Sequence, residues 1–144
     1  MPTTTARPPA PPDTDPQLST LMTHPLIGIT PDSRIDVAWK QMTRHEVRHL
    51  PVMTDGGCSG LVLESDVVRC IAERSLLGDH SRPATAGELC RVVPTLRLTD
   101  RRSTAAQQMH ADGIDAVLVT DGPRVLGIVT AVDLIRSLAL TGTS

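Results

Sequence analysis

Gly60-Leu61-Val62-Leu63-Glu64-Ser65-Asp66 returns 67 positions later as Gly127-Ile128-Val129-Thr130-Ala131-Val132-Asp133. The match extends in both directions at the same offset. Upstream, Ala38, Gln41, Met42 and Val52 recur as Ala105, Gln108, Met109 and Val119, and downstream Arg69 and Ala72 recur as Arg136 and Ala139. Nine identities therefore fall in the 35 residues from Ala38 to Ala72 without a gap, where unrelated segments would share roughly two. The chain is a duplicated unit, and the positions where the copies differ are where function is to be sought.

Around that repeat, composition sets limits. The 144 residues are enough for one compact domain or two half-domains with a common core. Hydrophobic residues make up 40%, yet Phe and Tyr are absent and Trp39 is the single aromatic residue. The core must be Val, Leu, Ile, Ala and Met. A single aromatic ring makes no stacking platform for single-stranded nucleic acid. A net charge of −2 with no basic run argues against duplex binding as well. Cys58, Cys70 and Cys90 form no CxxC pair and are odd in number, which suits a reduced, cytoplasmic protein. No apolar stretch approaches the roughly 20 residues of a membrane span, and the N-terminus lacks a signal-peptide pattern.

Local signals give the same element order in each copy. Residues 1–15 hold Pro2, Pro8, Pro9, Pro11 and Pro12 and read as a disordered, polyproline-like tail. Short helical turns are expected over 18–22 and 85–90, the second opened by a Thr85-x-x-Glu88 capping box. A brief extended segment leads to a helix carrying the stripe Ile35, Ala38, Trp39, Met42, thinned to Ala105, Ala106, Met109 in the second copy. Two strands, 50–53 with 61–63 and 116–119 with 128–130, are joined by Asp55-Gly56-Gly57 and Asp121-Gly122-Pro123 turns. Closing helices begin near Asp66 and Asp133, with Ser65 or Asp66 capping one and Asp133 the other. Val67, Val68, Ile71, Ala72 and Leu134, Ile135, Leu138, Ala139 are expected to face inward. Residues 73–83 read as the connecting loop. The divisions are thus 1–15 tail, 16–74 first repeat, 75–83 linker and 84–140 second repeat. The fold is α/β of the α+β kind, two β-α-β-β-α repeats packed sheet to sheet about a pseudo-twofold axis, because one copy leaves an apolar face open.

The Leu50-Pro51-Val52 strand, the Gly-h-h-x-x-x-Asp turns at 60–66 and 127–133 (h, hydrophobic) and the Ala-x-x-x-Met helix before each resemble the CBS domain pair, or Bateman module. The resemblance covers about residues 18 to 140 and is to small stand-alone bacterial members. It implies a non-catalytic regulatory or stress-responsive protein, a homodimer built as a disc of four repeats, and a separate chain as any regulated protein partner. It also implies two clefts between the repeats that hold an adenine nucleotide: AMP, ADP, ATP, or a relative such as S-adenosylmethionine or NADH. No cofactor is required.

Carried over by position, the second motif supplies Thr130 and Asp133 for phosphate and ribose. The first repeat gives Arg48 and His49 for phosphate, and the base lies against segment 23–28, Thr23 to Gly28, between Ile27 and Ile128. A carboxylate accepts two ribose hydroxyls at once and is favoured at a helix start. The first motif is poorer. Asp66 and Ser65 remain, but Leu63 replaces Thr130, and Asp115 and Ala116 stand where Arg48 and His49 do. A carboxylate there repels phosphate by about 1 kcal/mol in water, so one competent site is expected. Taken singly, each Asp reads equally well as a helix cap and Thr130 as a strand residue. His24, His45, His49, His80 and His110 lack metal-site spacing. No nucleophile–base pair or GxxxxGK loop suggests catalysis. The rival readings are a ligand-free dimerisation scaffold and a stress protein responding to oxidant or metal through Cys58 or the histidines.

Overall fold

The computed structural model describes residues 15–23, 27–78 and 84–141. The tail expected over 1–15, except Asp15, lies outside them, as do His24, His80 and residues 79–83 of the connection. The first copy comprises α1 (Ile35–His45), β1 (His49–Thr54), β2 (Gly57–Leu63) and α2 (Glu64–Leu77). The second comprises α3 (Ala86–Leu89), β3 (Thr95–Arg97), α4 (Arg102–Asp112), β4 (Ala116–Asp121), β5 (Arg124–Thr130) and α5 (Ala131–Thr141). A 3-10 turn at Leu18–Thr20 is the counterpart of α3.

Each hairpin is antiparallel, with Val52 opposite Gly60 and Val119 opposite Gly127, and each carries an irregularity one residue further on. β3 runs parallel to β4. Its counterpart in the first copy is a single bridge: Ile29 N–H donates to the Pro51 carbonyl (2.9 Å), and Met53 N–H donates to Ile29 (2.7 Å). Pro31 has no N–H with which to extend it.

Alternation along the strands sorts the core into three layers. Leu50, Val52 and Val62 turn toward Ala38, Met42 and Val67 of their own helices. Val117, Val119 and Val129 do the same toward Ala105, Met109 and Leu134. Leu61, Val93, Ala116, Leu118 and Ile128 meet between the sheets and close the apolar face that one copy leaves open. Both faces of β4 are thus covered, and its first four residues are all buried.

The leading segments pack on the opposite copy. Leu18, fully buried, joins the second repeat's cluster with Leu21 and Met22 beside it, and Thr23 pairs with Ile128 on β5. In return Ala86 and Leu89 join the first repeat's cluster, and Arg91 pairs with Leu61 on β2. The shared glycine of the motif follows from this crossing. A Cβ at Gly60, whose φ is +154°, would sit 2.1 Å from the Arg91 carbonyl oxygen; one at Gly127 would meet Met22 Sδ at 2.7 Å and the Thr23 carbonyl oxygen at 3.0 Å. The exchange also explains why the Thr85 hydroxyl makes no cap bond. Ala86 and Gly87 N–H donate instead to the Ser33 and Pro31 carbonyls of the other copy, at 2.7 and 2.8 Å.

Several expectations change. The loop placed from Glu73 begins at Gly78, because α2 continues to Leu77 until Gly78 takes the left-handed conformation (φ +67°) and its N–H bonds the Arg74 carbonyl. Ala106 is exposed, as is Trp39 at 39%, since only the Ile35, Ala38 and Met42 edge of α1 meets the sheet. On α2 and α5, Val67 and Leu134 are buried, whereas Val68, Ile71, Ile135 and Leu138 are exposed, as are Ala72 and Ala139. Neither Asp66 nor Asp133 is an N-cap: the helices start at Glu64 and Ala131, which makes both aspartates third-position residues.

Candidate ligand clefts

Each candidate cleft lies where a hairpin's returning strand becomes a helix, beside the leading segment that crosses from the other copy. The two are built alike and finished differently. At the second motif, Thr130 N–H donates to Asp133 Oδ2 (2.9 Å) and Asp133 N–H donates to Thr130 Oγ1 (3.2 Å). This reciprocal box satisfies two backbone donors at the start of α5. It fixes the carboxylate there, 10% exposed, with Arg136 3.6 Å from the other oxygen. The Thr130 hydroxyl keeps its own proton to donate outward. Thr23 reaches this groove through its pairing with Ile128, where Thr23 N–H donates to the Ile128 carbonyl (2.8 Å).

At the first motif Leu63 occupies the place of Thr130 and caps nothing. Asp66 is 9% exposed and has Arg69 at 3.6 Å, matching Arg136 on Asp133. Its distinguishing partner is Arg91 from the other copy. Nε donates to Oδ2 at 2.6 Å and Nη2 to Oδ1 at 2.8 Å, a two-pronged charge-assisted pair. The Arg91 guanidinium holds the Asp66 carboxyl below the usual range, against desolvation by burial.

Beside this pair lies a cavity of about 630 Å³, within the range that small ligands fill. Leu63, Glu64 and Ser65 line one wall, Arg91 to Val93 another, and Asp115 and Ala116 face Arg48 and His49 near the pseudo-twofold axis. His49 Nε2 lies 3.1 Å from Asp115 Oδ1. The Arg48 carbonyl accepts the Glu64 N–H (2.9 Å); its exposed guanidinium enters no ion pair among the described residues.

The residues singled out from sequence thus fall into two groups. Thr23, Ile128, Thr130 and Asp133 come together at the second motif. Arg48, His49 and Ser65 line the cavity at the first, next to the Arg91–Asp66 pair. Ser65 does so from the first turn of α2, not from a strand. Ile27 packs against the first repeat's cluster, and Ile128 lies between the sheets. Gly28 admits the close approach of Met53, whose Cγ lies 2.7 Å from where a Cβ would be. Arg91 was not anticipated. At the constant offset it matches His24, whereas in space it matches Thr23, one residue away; only a gapped comparison of the leading segments reveals the correspondence.

The CBS domain model matches the chain twice, over residues 18–73 and 86–140, so the chain belongs to the CBS domain family. Among solved structures it is similar to the CBS domain pair of protein MJ0100 in complex with 5'-methylthioadenosine and S-adenosyl-L-methionine. Identity is 24% with a TM-score of 0.76, covering 88% of this chain and 98% of that one. It is similar also to protein CBSX2 in complex with AMP, at 21% identity and a TM-score of 0.72, covering 88% and 98%. Likeness at these identities is one of fold. A homoserine O-acetyltransferase of Methanocorpusculum labreanum is 33% identical over 122 residues, which is 83% of this chain and 24% of that protein. Among the described residues no helix is long and apolar enough to cross a membrane.

Proposed function

We propose that this chain is a non-catalytic regulatory module that binds an adenosine-containing ligand in its second cleft and transmits occupancy to a separate partner. The observation that carries the reading is the Thr130–Asp133 box. It presents one preoriented carboxylate and one hydroxyl at a helix start, the pair of groups a ribose diol and a phosphate or further hydroxyl would use. Solved CBS pairs holding AMP, or 5'-methylthioadenosine with S-adenosyl-L-methionine, support the ligand class. Signalling requires that the ligand favour one packing of the repeats over another, since equal affinity shifts nothing.

The working unit is a homodimer. Val68 and Ile71 on α2 correspond at the 67-residue offset to Ile135 and Leu138 on α5, and all four are exposed. A second copy presents the same pair of apolar faces, so the surface is complementary to itself across a twofold axis. The oxidant-responsive alternative is disfavoured, because burial pushes the Cys58 thiol up, away from the reactive thiolate. The test is calorimetry with AMP, ADP, ATP, S-adenosylmethionine and NADH. At least one should bind, Asp133→Ala should abolish that binding, and Asp66→Ala should leave most of it. Absence of binding by all five to monodisperse protein would discard the reading in favour of a ligand-free scaffold.

A further inference from the structure

The first cleft has the volume for a ligand and a buried carboxylate at its helix start, yet that carboxylate is engaged from within the chain. Arg91 arrives on the leading segment that crosses from the second repeat and is fixed by two backbone bonds, Leu61 N–H to its carbonyl (2.9 Å) and its own N–H to the Leu61 carbonyl (2.8 Å). Its Nε and Nη2 then take both oxygens of Asp66. These are the two acceptors a ribose diol would need. In the second cleft the residue at the same place is Thr23, paired with Ile128 as Arg91 is with Leu61, and Thr23 has no guanidinium to offer.

From this we infer that Arg91 is a built-in occupant of the first cleft, which bars ribose-bearing ligands from Asp66 and confines binding to the cleft of Asp133. The inference rests on the proposed ligand class and deepens it by naming the residue that decides which cleft is used. The chemistry is competitive. A fork of charged N–H donors to a carboxylate is stronger than hydrogen bonds from neutral hydroxyls, and the backbone pairing holds the fork in place without further ordering. Displacing it would leave the Arg91 cation without its partner beside Asp66. Removing the guanidinium releases both oxygens from Arg91 beside a cavity whose size is already adequate, with Arg69 left 3.6 Å from Oδ1 as Arg136 is from Asp133. Leu63 still withholds a hydroxyl there and Asp115 still turns a carboxylate to the cavity, so the opened cleft is weaker than the second one.

The experiment is calorimetric titration of the full chain with AMP. Wild type should bind one equivalent, lost in Asp133→Ala. Arg91→Ala should bind a second equivalent, with affinity for the first cleft raised at least about tenfold. That second equivalent should persist in Arg91→Ala/Asp133→Ala and vanish in Arg91→Ala/Asp66→Ala. Arg91→Met, which keeps the aliphatic stem and the backbone pairing, replaces Arg91→Ala if circular dichroism shows that the alanine variant is unfolded. A folded Arg91 variant that is less stable but gains no AMP site would make Arg91 a structural staple and overturn the inference. So would a wild-type chain that already binds AMP at Asp66. The two failures separate cleanly: the proposed function is lost only if none of the five ligands binds at Asp133 in wild type, whereas the inference is judged on AMP at the Asp66 cleft of the Arg91 variants.

Discussion

Glu46 ends α1 with φ at +55°, the left-handed region that costs a side-chain-bearing residue about 1 kcal/mol or more. Its match in the other repeat is Gly113, at φ +64° and the same place after α4. The duplication therefore contains its own control. Glu46→Gly should stabilise the chain by about 0.5–1 kcal/mol, the relief of strain being partly offset by the greater freedom of glycine in the unfolded state. That corresponds to a rise in Tm of about 3 °C, and Gly113→Glu should lower it by a similar amount. Thermal melts of the two variants check the pair. The strain was present in the sequence as a mismatch at the constant offset, Glu against Gly, and needed only to be read as a helix end. Trp39 is a different case. Helical spacing groups it with Ile35, Ala38 and Met42, but periodicity does not say where the covered arc of a helix stops, and the sheet covers only the other three. The Arg91–Asp66 pair was hidden for a third reason: its partners are 25 residues apart in sequence and belong to different repeats.

At the scale of elements, the hairpins, the closing helices and their order were legible, because strand alternation and turn residues are local signals repeated twice. The destination of the leading segments was not, since a short amphipathic turn carries no mark of which copy it will cover. The glycine common to both motifs is where the two levels meet. Gly60→Ala would drive a Cβ into a backbone carbonyl and hold a left-handed-side φ, so it should cost several kcal/mol by breaking the Leu61–Arg91 pairing. At Gly127 the first atom met is the flexible thioether of Met22, and the alanine variant should lose less than half as much. Chemical denaturation of the two variants measures the difference. Equal losses would mean that the crossing segments are held with equal rigidity on both sides. The Thr130 cap and its absence at Leu63 belong to this scale as well: sequence comparison located the difference, and the structure shows it at the helix start, where Thr130 caps α5 and Leu63 caps nothing.

For the whole molecule, the exposed apolar rows of α2 and α5 set an expectation about assembly. If a second copy covers them, Ile135→Glu, at a side chain now 64% exposed, should convert a dimer to a monomer in light scattering. It should leave the melting of the monomer nearly unchanged, because that side chain contributes little to its own core. The exchange of leading segments has a different consequence. A single copy of this unit, made alone, would hold its Leu18-like turn over a neighbour's sheet with no neighbour in its own chain. Its stable form would be a domain-swapped pair of identical molecules, each completing the other. In such a pair the two grooves would be the same groove, bound by symmetry to one set of residues. Joining the copies into one chain lifted that constraint. Only then could Thr130 stand opposite Leu63, and Thr23 opposite Arg91, so that one aspartate is bonded within its own helix start while the other is answered from the opposite copy.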